Sequence, residues 1–275
     1  MPPERTGGFD GAKALGHVEQ LVAIGPRTPG SEGIRRAQEY IRSQLQSFGC
    51  AVEEDDFRAS TPIGSVLMKN IVAKIPGEKQ DIVLLLTHYD TLRMPNFVGA
   101  NDSGSSTGLM LELARQLCGK KNALTVWIAF LDGEEAFIEW SDTDSTYGSR
   151  QLAATLALSG SLKRVKAVIL ADMVGYRDLH VRRESNSTRW LTDIVWDTAA
   201  RLGYQQYFIK SETAINDDHI PFLRRGLAAV DIIQLVDYPH WHTPEDTLDK
   251  LSPRSLSIVG HVILETLAEL EKKFR

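Results

Sequence analysis

Four stretches of this 275-residue chain are almost continuously apolar: IVLLL (82–86), LTVWIAFL (124–131), VKAVIL (165–170) and AAVDIIQLV (228–236). A strand with one face in water alternates apolar and polar residues. Runs without that alternation predict strands buried on both faces, in a sheet covered by helices on each side. Asn70 to Ile75 reads as an earlier strand. Helical spacing marks segments around Leu15–Val22, Ser31–Phe48, Gly108–Leu117 and Trp190–Leu202. The last helix is the clearest: Ser252 is an N-cap residue, Pro253 suits the first helical position, and Leu256, Val259, Ile263 and Leu267 recur with helical period. The expected fold is α/β, an α/β/α sandwich around a central mixed, mostly parallel sheet. With no repeat, low-complexity tract or linker, residues 1–275 read as one domain.

Composition narrows the function. Thirty-one basic against 36 acidic residues leave a net charge of −5, with no long basic run to form a nucleic-acid groove. No apolar stretch approaches the ~18 residues of a membrane span. The opening MPPERTGGFDGAKAL lacks an apolar signal core. The two cysteines, Cys50 and Cys118, match no metal-binding spacing and read as buried free thiols, with one internal disulfide as the alternative.

In open α/β sheets, chemistry collects beyond the carboxyl ends of the strands. Each apolar run here is followed by His, Asp or Glu: His88 and Asp90 in THYD, Glu134 and Glu135 in DGEE, Asp172, and His242 in DYPHWH. Asp102, in GANDSGSSTG before a helix, can be aimed into the same region. Taken singly, each has an ordinary reading: Asp102 as a helix cap, Asp172 as a turn residue, the histidines as hydrogen-bonded strand-end groups. Their shared topological position argues for a site. Imidazole and carboxylate are the ligands of catalytic zinc. A zinc ion would also account for the adjacent glutamates, one ligating and its neighbour free as a general base. Gly104–Gly108 matches G-x-S-x-G, but no strand precedes it as a nucleophile elbow requires, and it lacks the lysine of a phosphate-binding loop.

His88-Tyr89-Asp90, GANDSG, Asp132-Gly133-Glu134-Glu135 and His242 together resemble the zinc-dependent aminopeptidase superfamily. DGEEAFIEWSDTDSTYGSR (132–150), DDHIPFLRRG (217–226) and WHTPEDTLDKL (241–251) resemble the animal-type glutaminyl-peptide cyclotransferases within it. The resemblance implies a zinc-aminopeptidase-like fold and one zinc held by Asp102, Glu135 and His242. It implies Glu134 as acid/base, with Asp172 and Asp217 as a carboxylate network beside it. Trp140 and Trp241 would wall the substrate pocket, joined by Tyr238, and Asn216 stands where the family pattern has glutamine. Thr87 and Thr107 occupy positions where vertebrate members often carry a disulfide. The implied partners are peptides or proteins with N-terminal glutamine, and the implied location is secreted or periplasmic, with a cytoplasmic one left open. A di-zinc aminopeptidase, with His88 and Asp172 recruiting a second zinc, is the alternative enzyme. A zinc-binding scaffold is the non-catalytic alternative, and it would leave Glu134 idle.

Overall fold

Three of the four apolar runs form the middle of a sheet and the run at 228–236 one edge of it, with helices covering both faces. The computed structural model describes residues 8–275, so part of the opening stretch MPPERTGGFDGAKAL lies outside the described residues. The strands are β1 (Ala51–Thr61), β2 (Gly64–Ile75), β3 (Gly77–His88), β4 (Asn122–Leu131), β5 (Val165–Asp172), β6 (Val181–Glu184), β7 (Phe208–Thr213) and β8 (Ala229–Ile233). Six of them form one sheet in the order β1-β2-β4-β3-β5-β8, and β6 pairs with β7 in a separate ribbon. Strands β4, β3, β5 and β8 run parallel, while β2 is antiparallel to both β1 and β4.

Helices α1 (Gly11–Ile24), α2 (Glu32–Ser47), α3 (Ser106–Leu117), α5 (Arg189–Arg201) and α7 (Pro253–Lys273) pack on one face, and α4 (Tyr147–Leu158) and α6 (Ile220–Leu223) on the other. Strand β3 shows why its run is uninterrupted. Val83 and Leu85 enter one core, and Ile82, Leu84 and Leu86 enter the other. Capping follows the sequence: Ser31 accepts from Ile34 N–H at the start of α2, and Ser252 from Arg254 N–H at the start of α7.

Helices α4 and α6 and the β6–β7 ribbon had no counterpart in the sequence expectations, and three further features differ from them. Strand β1 carries EEDD and buries only Ala59 fully, so it has no apolar pattern to read. Strand β8 stops at Ile233, three residues before the end of its apolar run, and Leu235 turns into the mouth of the site. Cys50 and Cys118 are not free thiols: they form a disulfide spanning 68 residues of sequence, because the ends of α2 and α3 meet at one edge of the helical layer. No helix among the described residues is long and apolar enough to cross a membrane.

The chain passes from β3 to β4 through α3 on one face and from β4 to β5 through α4 on the other. The winding therefore reverses beside β3, which opens a crevice at the carboxyl ends of these strands.

Candidate active site

His88 ends β3, Glu134 and Glu135 follow β4, Asp172 ends β5, and His242 lies in the loop after β8. Asp102 occupies the turn between β3 and α3. It does not cap that helix; its carboxylate lies between two imidazoles, Oδ1 3.3 Å from His88 Nε2 and Oδ2 3.3 Å from His242 Nε2. Glu135 Oε1 is 3.1 Å from His242 Nε2, and Asp172 Oδ1 is 3.1 Å from His88 Nε2. Asp102, Glu135 and His242 thus present donor atoms within 4.8 Å of one another, and so do His88, Asp102 and Asp172. Asp172 is tied to His88 rather than to Asp217. Asp217 accepts from Asp218 N–H on one oxygen and has no hydrogen-bond partner among the described residues on the other.

Main-chain atoms carry these side chains, and buried carboxylates hold the main chain. Asp90 accepts from Glu134 N–H (3.1 Å) and Glu135 N–H (3.2 Å). Asp246 accepts from Asn101 N–H (2.8 Å) and Asp102 N–H (3.0 Å). Asp144 gathers the amides of Phe137, Ile138 and Glu139, shaping the loop that bears Trp140. Glu184 accepts from Asn186, Ser187 and Ile215 N–H and faces His219 Nε2 at 3.0 Å, anchoring the segment with Asn216 and Asp217. Charge-assisted bonds of this kind are the stronger ones, so each loop has its own anchor. Of these four anchors only Asp90 stood out in the sequence. The others are acidic residues in polar surroundings, and nothing in local spacing marks an acid whose partners lie in another loop. The hydroxyls of Thr87 and Thr107 both donate to the His88 carbonyl, at 3.0 and 2.8 Å, so hydrogen bonds hold the end of β3.

The electrostatics favour a bound cation. Asp102, Glu134, Glu135 and Asp172 are all buried, and buried carboxylates are costly unless paired or bound to metal. Burial pushes Glu135 and Asp172 up to about 7. Glu134 is raised well above the carboxylate range, by burial first and then by Glu135 and Asp217, against the opposing pull of His88. Burial would also raise Asp102, but hydrogen bonds from His242 and His88 outweigh it and hold Asp102 low. His242 goes up to about 10: burial opposes its charge, and the bonds to Asp102 and Glu135 prevail. Two carboxylates and one imidazole facing an open cavity are a donor set suited to zinc, with room left for a substrate.

That cavity is about 430 Å³. Glu134 and Asp172 reach it from the strand ends, and Trp140, Asn216, Asp217 and Trp241 from the loops. Both tryptophans are part exposed, at 39% and 45%, and the Trp241 ring stacks on His242 at 4.2 Å. Tyr238 does not line the cavity. It is buried against the lining residues Met173, Ile215 and Ile233, and its hydroxyl donates to Asp246. His242 has φ of 52°, a left-handed backbone uncommon outside glycine and typical of constrained functional positions.

Residues 70–267 match peptidase family M28. The glutaminyl-peptide cyclotransferase-like protein of Mus musculus is 34% identical over 88% of this chain and 72% of its own length. The glutaminyl-peptide cyclotransferase of Drosophila melanogaster is 31% identical over 90% and 76%. Among solved structures, an Acidobacteriales bacterium glutaminyl cyclase superimposes with a TM-score of 0.90 at 39% identity, over 96% of each chain. A Zn-dependent exopeptidase from Parabacteroides distasonis does so with a TM-score of 0.86 at 27% identity, over 94% of this chain and 98% of its own.

Proposed function

The chain belongs to peptidase family M28 and, within it, to the glutaminyl-peptide cyclotransferases, and from that premise we propose that it converts the N-terminal glutamine of peptides and proteins to pyroglutamate, releasing ammonia. Residues 1–275 act as one catalytic unit in this reading. The observation that carries it is the divergence of the two adjacent glutamates. Glu135 joins Asp102 and His242, while the Glu134 carboxylate stays outside that set and lines the cavity.

Asp102, Glu135 and His242 would hold one zinc ion, which supplies Lewis-acid polarisation of the side-chain amide carbonyl. The remaining work falls to the chain. The substrate's α-amine attacks its own side-chain amide carbon; the new C–N bond closes a five-membered lactam and the old C–N bond breaks. Glu134 takes the proton lost by the attacking amine and returns it to the departing nitrogen, which leaves as ammonia. Glu134 accepts the amine proton in its ionised form, and burial, which raises its affinity for a proton, helps it keep that proton until the nitrogen departs. The amine itself has a pKa of about 7.7–8.0, so a useful fraction is neutral at the start. Asp172 and Asp217 border the same space, and burial raises both; in this reading they keep a proton beside Glu134. Trp140 and Trp241 wall the glutamine side chain, and the Asn216 amide faces the substrate backbone. The disulfide suits an oxidising compartment and so supports a secreted or periplasmic location.

One observation favours a second reading. His88, Asp102 and Asp172 form a further donor set sharing Asp102, as a di-zinc aminopeptidase would require. Mass spectrometry of a peptide beginning with glutamine, incubated with the zinc-loaded protein, separates the two. Loss of ammonia from an otherwise intact chain supports the cyclase. Release of the first residue would replace it with the aminopeptidase.

A further inference from the structure

Arg27 lies in the connection between α1 and α2, outside the residues matched to the family, and is fully buried. Its guanidinium donates to main-chain carbonyls: Nε to Tyr89 O at 3.0 Å, Nη1 to Val98 O at 2.8 Å and Nη2 to Gly99 O at 3.1 Å. The Gly99 carbonyl also accepts from Gly104 N–H at 3.0 Å, closing the turn that carries Asp102. That closure is tight. Gly99 has φ of +52°, and a Cβ there would stand 1.9 Å from the Asp102 carbonyl oxygen, so only glycine fits.

Asp246 holds the opposite side of the same turn. Its carboxylate accepts from the amides of Asn101 and Asp102, and its carbonyl from Ala100 N–H at 3.2 Å. Tyr238 completes the carboxylate by donating to Oδ1 at 2.5 Å. A cation therefore grips the carbonyls of residues 98 and 99, and an anion grips the amides of 101 and 102. Among the acidic groups, Asp246 acts most strongly on the buried guanidinium, ahead of Asp90 and Asp102. Asp246 also stands four residues after His242, so the same carboxylate ties together two loops of one donor set.

We propose that Arg27 and Asp246 are positioning residues that clamp the Asp102 turn from both sides, setting the Asp102 carboxylate against His242 and Glu135 for metal capture. The clamp rests on the zinc reading of that donor set. It makes the N-terminal helical pair part of the site rather than an accessory to the sheet. Outer groups that orient metal ligands commonly change affinity by about 10–100-fold when altered.

The test uses the full chain with Asp246→Asn, Tyr238→Phe and Arg27→Lys. Zinc affinity is read by competition with a chromogenic chelator, ligand geometry by the visible spectrum of the cobalt-substituted protein, and folding by melting of the metal-free form. Asp246→Asn should weaken zinc about 10–100-fold and alter the cobalt spectrum. Tyr238→Phe should do so by a smaller factor, and Arg27→Lys should fall between them. The double variant Arg27→Lys/Asp246→Asn should lose less than the product of the two single effects, as expected of groups acting on one turn. If Arg27→Lys fails to fold, the other two variants decide. Unchanged zinc affinity and cobalt spectrum in Asp246→Asn, even with a lower melting temperature, would reduce the clamp to ordinary structural support and overturn it. Failure of the unmutated chain to bind zinc would instead remove the metal reading itself, and the clamp with it.

Discussion

Glu134 and Glu135 are consecutive in sequence but face different partners: Glu135 Oε1 lies 3.1 Å from His242 Nε2, and Glu134 Oε2 lies 3.8 Å from His88 Nδ1. The Asp90 carboxylate fixes both backbones by accepting from both amides. The side chains therefore diverge from a shared anchor, one toward the donor set and one toward the cavity.

Separation of ligand from base predicts the outcome of Glu134→Gln. Cyclisation of a glutamine peptide should fall by about 10²–10⁴-fold, the usual worth of a positioned acid/base, while zinc content stays unchanged. Ammonia release and elemental analysis on the same sample check this. Activity retained in the variant would remove Glu134 from the proton path. Unchanged biological function in a variant that no longer cyclises would favour the scaffold.

Metal removal tests the count. Dialysis against a chelator should abolish cyclisation, and titration with zinc should restore it fully at one equivalent per chain. A requirement for two equivalents would assign His88 and Asp172 to a second ion.

The two tryptophans at the mouth are part exposed, so removing either should affect binding more than folding. Trp241→Ala should raise KM about tenfold, equivalent to about 1.4 kcal/mol, with kcat less affected. Steady-state kinetics show the split; a loss confined to kcat would mean that Trp241 orients His242 rather than the substrate.

Glu184 predicts an acid-sensitive loop. Burial would raise its carboxyl, but the His219 bond and the amides of Asn186 and Ile215 outweigh this and hold it at about 2, below its ordinary 4.5. A depressed folded-state pKa contributes stability that is complete above the unfolded value and disappears as pH falls toward the folded one. Glu184→Gln should therefore be less stable than the unmutated protein at pH 7 by about 1–3 kcal/mol, with the gap closing between 4.5 and 2. Denaturant melts across that range measure it. A gap independent of pH would show that packing, not charge, accounts for the loss.

The disulfide predicts that the untreated protein has no titratable thiol. Closing a loop of 68 residues should contribute about 2–4 kcal/mol, so the melting temperature should drop on reduction or in Cys50→Ala/Cys118→Ala. A full thiol titre without reductant would contradict the pairing.

The central strands were legible because burial on both faces leaves a local trace, the missing alternation at Ile82–Leu86 and Leu124–Leu131. So was the grouping of His88, Glu134, Glu135, Asp172 and His242, because each follows a strand and parallel strands end together. Strand β1 left no trace, since an exposed edge rich in Glu and Asp looks like a polar loop. The family resemblance placed Tyr238 at the pocket wall, yet it is buried outside the lining with its hydroxyl bonded to Asp246.

The sequence by itself determined the layered fold, the strand ends at which chemistry gathers, and the residue types a zinc site needs. Each of these follows from local periodicity or from short motifs. Tertiary structure alone decided how those residues are held. Asp246 reaches the amide of Asn101 across 145 residues, and Arg27 reaches the carbonyl of Gly99 across 72. The same holds for the meeting of Cys50 with Cys118. These contacts depend on which loops the folded sheet brings together, and a hydrogen bond between distant positions leaves no periodic mark on either one.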